Sequence, residues 1–381
     1  MKLSISAITL TALATIAEAR QCQDLTIPID VSARQGKYNI QTPTDNVAVT
    51  NFILDLTRQG HNYTNEALAG YQTVSGKYNI AATICHPDKG PSSTLQILTH
   101  GIGFDRSYWD ISYNNYNYSY VSQATDKYGY STFFFDRLGI GMSSRGEPIN
   151  EIQVNLEIAA LQALTTMLRN GTVPGCSYKP KKTVHVGHSF GSIQTYSLAV
   201  LTPQLSDGLI LTGFSQNGSF PPYFELGGNF ILAKNVPSLT SYPVGYFASG
   251  DASAVQTNFF APKVFDPAIL AFATSTGQPV TPGELITLGG LSGMKSTFTG
   301  PVLIITGERD IPFCGGDCII TGNPALPNLL AQSKPYLPNV KNFTGFVVPG
   351  SGHGLNLEYS HTLTYSTMLN YLQDQGLSAS A

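Results

Sequence analysis

A five-residue motif in the middle of the chain constrains the fold more than any other feature. Gly187-His188-Ser189-Phe190-Gly191 follows the apolar run TVHV at 183–186 and precedes a segment, 190–201, with the composition of a helix. Small residues at both ends of the motif let a strand and a helix approach each other around a sharp turn. The motif therefore predicts a strand, a tight turn and a helix, with the hydroxyl of Ser189 exposed at the turn.

Short apolar segments alternate with helix-like segments along much of the chain. The predicted strands are Thr94–Thr99, Ser131–Phe135, Thr183–Val186, Gly208–Leu211, Pro301–Ile305 and Phe343–Val348. Asn150 is predicted to cap a helix with an apolar face that runs from Val154 to Leu168, and Leu355–Gln375 is predicted to form the last helix. Apolar strands that alternate with amphipathic helices indicate an α/β protein with a mostly parallel sheet covered on both faces.

One long interval interrupts this alternation. Residues 216–298 separate two predicted core strands, carry only seven charged residues and are rich in aromatic residues. Thr281-Pro282-Gly283-Glu284 has the spacing of a helix capping box with Pro at the first helical position. We therefore predict an inserted cap at 216–298. It divides a core made of 20–215, which includes a β-rich N-terminal region, and 299–381.

The N-terminus has the features of a secretory signal peptide over residues 1–19. Lys2 precedes an apolar or small stretch, Leu3 to Ile16, and Ala17-Glu18-Ala19 fits the small-x-small cleavage pattern. The stretch is shorter than the ~20 apolar residues that a membrane span requires. We expect a secreted protein without stable membrane insertion.

Potential glycosylation sites and cysteines agree with an extracellular location. Asn-x-Ser/Thr sequons begin at Asn62, Asn117, Asn170, Asn217 and Asn342. In Cys314-Gly-Gly-Asp-Cys318, two glycines allow the chain to bend back, so we predict a disulfide between Cys314 and Cys318. The pairing of the other three cysteines, Cys22, Cys85 and Cys176, stays open, and the odd total leaves at least one thiol unpaired.

Composition excludes several classes of protein. Lys and Arg total 21 and Asp and Glu total 24, so the chain lacks the basic excess of a nucleic-acid-binding protein. A hydrophobic content of 42% excludes a mostly disordered chain. No metal is expected, because no carboxylate or cysteine joins His185 and His188 at ligand spacing. No dinucleotide-binding motif is present at a strand–helix junction, so no cofactor is expected.

A serine nucleophile requires a base and a carboxylate. His353 lies in a glycine-rich loop, 349–354, directly after the last predicted strand, and is the candidate base. Asp310 follows the preceding strand and is the candidate that orients the histidine. Glu308 and Asp317 remain alternatives for this role.

An oxyanion site and a substrate pocket complete the prediction. One amide donor is that of Phe190, and the second is expected from the loop His100-Gly101-Ile102-Gly103, with Ile102 favoured over Gly103. Four residues are candidates for the pocket wall: His100, Gly103, Trp109 and His188. Ordinary packing in the core is the alternative for Trp109 and His188.

These residues together resemble the α/β-hydrolase superfamily, in the branch with an HGxG loop and a cap. The order Ser189, Asp310, His353 is that of the superfamily, and Asp136–Ser143 (DRLGIGMS) is similar to its D-R-x-G-x-G-x-S segment. With the signal peptide and the sequons, the chain resembles secreted fungal serine hydrolases and esterases. The resemblance spans roughly residues 93–376, implies the fold and the catalytic triad, and says little about the substrate.

The nucleophile narrows the chemistry within the superfamily. Relatives that open epoxides or remove halides use Asp where this chain has Ser189. We therefore predict a secreted serine hydrolase that cleaves a small hydrophobic, uncharged ester or lactone through an acyl-enzyme. Peptidase action, carbon–carbon hydrolysis and a natural-product tailoring step are alternatives with the same fold and triad. A non-catalytic binding protein is the third hypothesis.

Overall fold

The computed structural model describes residues 20–379, so the predicted signal peptide at 1–19 lies outside the described residues. The ten strands, in chain order, are β1 Gln21–Tyr38, β2 Leu68–His86, β3 Thr94–Thr99, β4 Ser131–Phe135, β5 Lys182–His188, β6 Gly208–Thr212, β7 Phe230–Leu232, β8 Phe247–Ser249, β9 Val302–Gly307 and β10 Phe343–Val348. All six predicted core strands are present within two residues of their expected ends.

The helices also follow the chain order. They are α1 Asn46–Leu56, α2 Tyr63–Glu66, α3 Tyr113–Tyr116, α4 Tyr120–Ser122, α5 Val154–Asn170, α6 Phe190–Leu201, α7 Pro221–Gly227, α8 Ala252–Phe259, α9 Pro267–Ser275, α10 Pro282–Ile286, α11 Ile311–Cys314 and α12 His361–Asp374. A π-helical turn covers Gln123–Lys127. Short 3₁₀ turns cover Arg106–Tyr108, Pro203–Leu205, Ala233–Asn235, Pro237–Leu239, Leu329–Tyr336 and Leu355–Leu357.

Eight strands form one sheet in the order β1-β2-β4-β3-β5-β6-β9-β10. The six strands from β4 to β10 are parallel, and β1 and β2 extend one edge in antiparallel pairing. Alternate side chains of β4 point to opposite faces. Phe133 and Phe135 pack in the apolar cluster that includes α5, whereas Phe134 packs in the cluster that includes α12. The prediction of a mostly parallel sheet covered on both faces is confirmed.

Two helix boundaries differ from the prediction. Helix α5 begins at Val154, because Asn150 instead pairs with β1, where its side-chain oxygen accepts the amide of Tyr38 at 2.7 Å. The last helix begins at His361 rather than Leu355, because Glu358 has extended backbone angles that separate a 3₁₀ turn from α12.

Two disulfides are present. The predicted bridge between Cys314 and Cys318 is confirmed, and a second bridge joins Cys22 to Cys85, which are paired residues of β1 and β2. Cys176 is buried and unpaired. Across residues 20–379, no helix has both the length and the apolar character needed to cross a membrane.

The 216–298 interval contains four helices and the small antiparallel sheet β7–β8. Helix α10 has the predicted capping box: the Thr281 hydroxyl accepts the amide of Glu284, and the Glu284 carboxylate accepts the amide of Thr281. The interval is therefore folded, as its aromatic content predicts.

Candidate active site

Ser189 lies at the turn between β5 and α6, at the carboxyl edge of the parallel strands. Its backbone has φ 56° and ψ −119°, a conformation that costs a non-glycine residue about 1–3 kcal/mol. The turn requires the two glycines of the motif. A Cβ atom at Gly191 would overlap the carbonyl oxygen of Thr99, and one at Gly187 would overlap the backbone of Gly191. Close packing of the strand, the turn and the helix thus holds Ser189 in backbone angles that belong to neither the strand nor the helix.

His353 and Asp310 form a buried pair at the same edge of the sheet. Nδ1 of His353 donates to Oδ2 of Asp310 at 2.7 Å, and both side chains are fully buried. The carboxylate also accepts the amide of Phe313 at 2.8 Å and the hydroxyl of Thr306. Three donors therefore fix the orientation of this carboxylate.

The two rival carboxylates have other partners. Glu308 accepts the amide of Gly350 at 2.9 Å, and Asp317 accepts the amide of Ile319 at 2.9 Å. Of the three carboxylates that the sequence leaves open, the structure places Asp310 against His353.

The other ring nitrogen of His353, Nε2, is buried and forms no hydrogen bond to Ser189 or to any other described residue. Because Nδ1 carries the proton shared with Asp310, Nε2 presents its lone pair, which is the tautomer that a general base needs. The ring stacks against Phe259 and Phe313, whose centroids are 5.9 and 5.6 Å from its own. These stacking contacts hold the imidazole plane.

Hydrogen bonds hold the His353 loop against the end of α8 and the residues that follow it. The Gly354 amide donates to the Phe259 carbonyl at 2.6 Å. The buried carboxylate of Glu358 accepts the amides of Ala261 at 2.6 Å and Gly352 at 2.8 Å. The position of His353 therefore depends on the 216–298 interval as well as on the core.

The loop after β3 packs directly on the serine turn. A Cβ atom at Gly101 would lie 2.8 Å from Cβ of Ser189. Two hydrogen bonds of His100 connect this loop to the segment after β4. Its Nδ1 donates to the Gly101 carbonyl at 2.8 Å, and its Nε2 accepts the Arg137 amide at 3.1 Å. Burial lowers the pKa of His100 well below its usual value, so this histidine is neutral.

The segment Asp136–Ser143 supports the same loop. The Asp136 carboxylate accepts the Arg106 guanidinium at 2.6 Å and the Met142 amide at 2.8 Å. The Arg137 guanidinium is buried between Glu157, at 2.6 Å, and Glu284, at 2.5 Å. The segment therefore joins the loop after β3, helix α5 and helix α10.

A cavity of about 290 Å³ opens beside Ser189. Apolar side chains from α1, α6, α7, α10 and the turn after Asp310 form most of its wall. Ser189, Phe190 and Ile102, the serine and the two predicted oxyanion donors, all line it. The structure thus brings the serine turn and the β3 loop together around one space large enough for a small ligand.

Sequence comparison identifies the family. Residues 96–363 match the model of the alpha/beta hydrolase family, which is more than half of the chain. The chain belongs to the alpha/beta hydrolase family. A comparison with curated protein sequences finds no significant match.

Solved structures share the fold of this hydrolase. It is similar to a thermophilic esterase from Thermogutta terrifontis, with a TM-score of 0.53 and 15% identity over 78% of this chain and 94% of that one. It is also similar to an alpha/beta hydrolase fold protein from Chitinophaga pinensis, with a TM-score of 0.51 and 15% identity over 77% and 94% of the two chains. At this identity the likeness concerns the fold alone.

The four residues predicted for the pocket wall do not line the cavity at Ser189. Trp109 is fully buried in the core, where it packs against Tyr108 and Tyr120. His100 lies beneath the β3 loop, as described above. Gly103 borders a separate cavity of about 30 Å³ with Phe104 and Phe259. Aromatic packing therefore occupies the space that these residues are predicted to line, and the cavity at Ser189 is lined by other residues.

His188, the fourth of these residues, is part of that packing. Its ring stacks on Tyr108 at 4.4 Å and lies 4.9 Å from the ring of His353. Nδ1 donates to the Thr212 hydroxyl at 3.1 Å, and that hydroxyl donates to the Gly187 carbonyl. Burial and the neighbouring His353 hold the pKa of His188 well below its usual value, so it adds no positive charge beside His353.

The sequence prediction does not include the one ionisable side chain of the described cavity wall. Glu225 of α7 lines the cavity at 5% exposure, and burial raises its pKa to about 7. In the sequence it is one of seven charged residues in the 216–298 interval, and only its position between Phe224 and Leu226 hints at burial. Within residues 20–379, no group of three or more His, Cys, Asp or Glu side chains is arranged to hold a metal ion.

Proposed function

We propose that this hydrolase cleaves a carboxylic ester or lactone with Ser189 as the nucleophile. One observation carries the proposal: Ser189 lines a cavity at a strained strand–helix turn, and a buried His353–Asp310 pair lies at the same edge of the sheet. A serine hydroxyl in this setting is the usual nucleophile of acyl transfer.

In the proposed mechanism, Oγ of Ser189 attacks the substrate carbonyl carbon while its proton passes to Nε2 of His353. The amides of Phe190 and Ile102 stabilise the negative charge that develops on the carbonyl oxygen. Asp310 stabilises the imidazolium and keeps the ring oriented. His353 then gives the proton to the leaving alcohol, and the acyl group remains on Ser189.

Water completes the cycle. His353 removes a proton from a water molecule, which attacks the acyl carbon and forms a second tetrahedral intermediate. The proton returns to Oγ of Ser189 as the carboxylic acid leaves. No metal or other cofactor takes part in this scheme, and neither a nucleic acid nor a membrane partner is needed.

The cavity supports a small substrate with an apolar body. Its volume of about 290 Å³ is at the lower end of small-molecule sites. Phe190, Ile193, Phe224, Leu285, Ile286, Leu288 and Phe313 are among the residues that line it. We propose that residues 216–298 act as a cap, since they supply Phe224, Leu285 and Ile286 to this wall.

We also propose that the protein is secreted and glycosylated, as its resemblance to secreted fungal hydrolases implies. Two disulfides support an oxidising compartment. Four sequon asparagines, Asn62, Asn117, Asn170 and Asn342, are exposed, whereas Asn217 is half-buried.

The test is hydrolysis of p-nitrophenyl esters from acetate to palmitate by the purified protein, together with labelling by a fluorophosphonate. We expect turnover of the short esters and labelling of Ser189, both lost in Ser189→Ala. Ser253→Ala, at an exposed serine outside the cavity, is the matched control and keeps both. Labelling without ester turnover would favour amide or carbon–carbon hydrolysis, and the absence of both in folded protein would favour a binding role.

A further inference from the structure

The cavity beside Ser189 contains an acid for which the protein provides no partner. Glu225 lies on α7, and the side chains around it in the cavity wall, such as Phe224 and Phe313, are mostly apolar. Its carboxylate forms no hydrogen bond or ion pair within residues 20–379. The other buried carboxylates each accept at least one hydrogen bond. They are those of Asp136, Glu157, Glu284, Asp310 and Glu358. Glu225 is therefore an exception among the buried acids described.

The cavity also lacks a counter-charge. Of the residues that line it, Glu225 is the one ionisable side chain within the described part of the chain, so no Lys, Arg or His faces it there. A buried, unpaired carboxylate is costly, and in folded proteins such charges are normally paired. Burial raises the pKa of Glu225 to about 7, and no nearby cation or hydrogen-bond donor among the described residues lowers it again.

Two further polar side chains in the same wall lack partners. The hydroxyl oxygen of Ser292 and both polar side-chain atoms of Gln216 are buried and form no hydrogen bond within residues 20–379. A serine hydroxyl both donates and accepts hydrogen bonds, so Ser292 could pair with either a donor or an acceptor on a ligand. Three unsatisfied polar side chains, those of Glu225, Ser292 and Gln216, thus share a cavity whose other walls are mostly apolar.

We infer that Glu225 is a specificity-determining residue that binds the protonated amine of a substrate with an apolar body. The amine supplies the positive charge that the cavity lacks, whereas a neutral hydroxyl would leave the carboxylate charge uncompensated. This inference rests on the proposed function only in placing the amine in the cavity that Ser189 shares. It replaces the expectation of an uncharged substrate, which is based on the few and scattered charges of the 216–298 interval.

Competitive inhibition by matched pairs of small ligands tests the inference. n-Butylamine and n-hexylamine are compared with 1-butanol and 1-hexanol as inhibitors of p-nitrophenyl butyrate hydrolysis at pH 8, where both the amine and Glu225 are charged. We expect each amine to inhibit at least about tenfold more tightly than the alcohol of equal length. In Glu225→Gln the ratio should fall to about one, while Glu225→Asp should keep part of it.

The alcohol series reports whether the cavity is intact in each variant, because it does not require the carboxylate. Glu66→Gln, an exposed glutamate on α2, is the matched control and should keep the wild-type ratio. Equal inhibition by amine and alcohol in the wild type would overturn the inference, as would an amine preference that persists in Glu225→Gln.

A second pair of measurements separates this inference from the proposed function. If no ester is hydrolysed, stabilisation of the folded protein against heat by the same amines and alcohols replaces the inhibition assay. A larger stabilisation by the amines, lost in Glu225→Gln, supports the amine site even where esterase activity fails. If esters are hydrolysed, methyl 2-aminohexanoate and methyl 6-aminohexanoate are compared with methyl hexanoate. A higher kcat/KM for one amino ester would locate the amine relative to the scissile carbonyl, and no gain for either would count against the inference.

Discussion

Arg137 and Glu284 form a buried ion pair between residues that are 147 positions apart in the sequence. Arg137 also pairs with Glu157 of α5, so one guanidinium contacts two buried carboxylates, and burial raises the pKa of Glu157 well above its usual value. The pairs join the segment after β4 to α10 in the 216–298 interval. Because Arg137 is the cation that pairs with both carboxylates, we expect its removal to destabilise the protein more than the loss of one surface ion pair.

Arg137→Met should therefore lower the free energy of unfolding by about 3–5 kcal/mol, because it leaves two carboxylates buried without a partner. Urea unfolding monitored by circular dichroism measures the change. Arg145→Met is the control: Arg145 packs on Tyr242 near the surface, and its loss should cost about 1 kcal/mol or less. A loss below 1 kcal/mol for Arg137→Met would show that the ion pairs of Arg137 with Glu157 and Glu284 are not a main contributor to stability.

Asp310→Asn should reduce kcat for ester hydrolysis by about 10⁴-fold, because the amide no longer favours the tautomer with the proton on Nδ1 of His353. Steady-state kinetics on p-nitrophenyl butyrate measures the loss. Glu308→Gln tests the rival carboxylate and should retain at least a hundredfold more activity than Asp310→Asn. A greater loss of kcat in Glu308→Gln than in Asp310→Asn would contradict the assignment of Asp310 as the carboxylate that orients His353.

Glu225 should make the folded protein less stable as pH rises from about 4.5 to 7. Its pKa is about 7 in the folded state and near 4.5 in the unfolded chain, so the unfolded state releases the proton first. The full stability is present below pH 4.5, and roughly 3 kcal/mol is lost by the time the pH passes the folded pKa. Glu225→Gln should remove this part of the pH dependence in urea titrations at pH 4.5 and 7.5. An unchanged slope in the variant would mean that the carboxyl group is hydrated in the folded protein.

The two disulfides should differ in what their removal costs. Cys22–Cys85 closes a loop of 63 residues and Cys314–Cys318 a loop of four. Replacing both cysteines by serine should cost about 4 kcal/mol for the first pair and about 2 kcal/mol for the second, on the chain-entropy estimate. Cys314 ends α11, the helix that Asp310 caps, so only the second variant should also lower kcat. Equal effects of the two variants on kcat would contradict this assignment.

The sequence predicts those parts of the fold that depend on short-range pattern. Apolar runs bounded by polar residues set the limits of β3, β4 and β10, and the two glycines at 187 and 191 set the turn at Ser189. The order of the strands in the sheet does not follow from such patterns. The role of Asn150 does not follow from them either. It contacts β1 instead of starting a helix, and that contact forms only once the sheet has assembled.

The candidate site is predictable to a similar extent. Post-strand positions bring Ser189, Asp310 and His353 to one sheet edge, since parallel strands end at the same edge. The wall of the cavity is not predictable in this way. Trp109 follows the β3 loop and could face either side, and edge-to-face packing against Tyr108 and Tyr120 places it in the core. Glu225 is distinguished from other glutamates only by the absence of a partner, which is a property of the folded molecule.

The contact between the His353 loop and α8 limits how substrate specificity can diverge in proteins built like this one. Exchanging the whole 216–298 interval for a foreign sequence would remove the backbone of Phe259 and Ala261, on which Gly354 and Glu358 depend. Helix α7, which carries Glu225, has no such bond to the histidine loop among the described residues. Libraries for new selectivity should therefore vary 221–228 and keep 259–261 constant, so that the wall of the cavity changes while the position of His353 is kept.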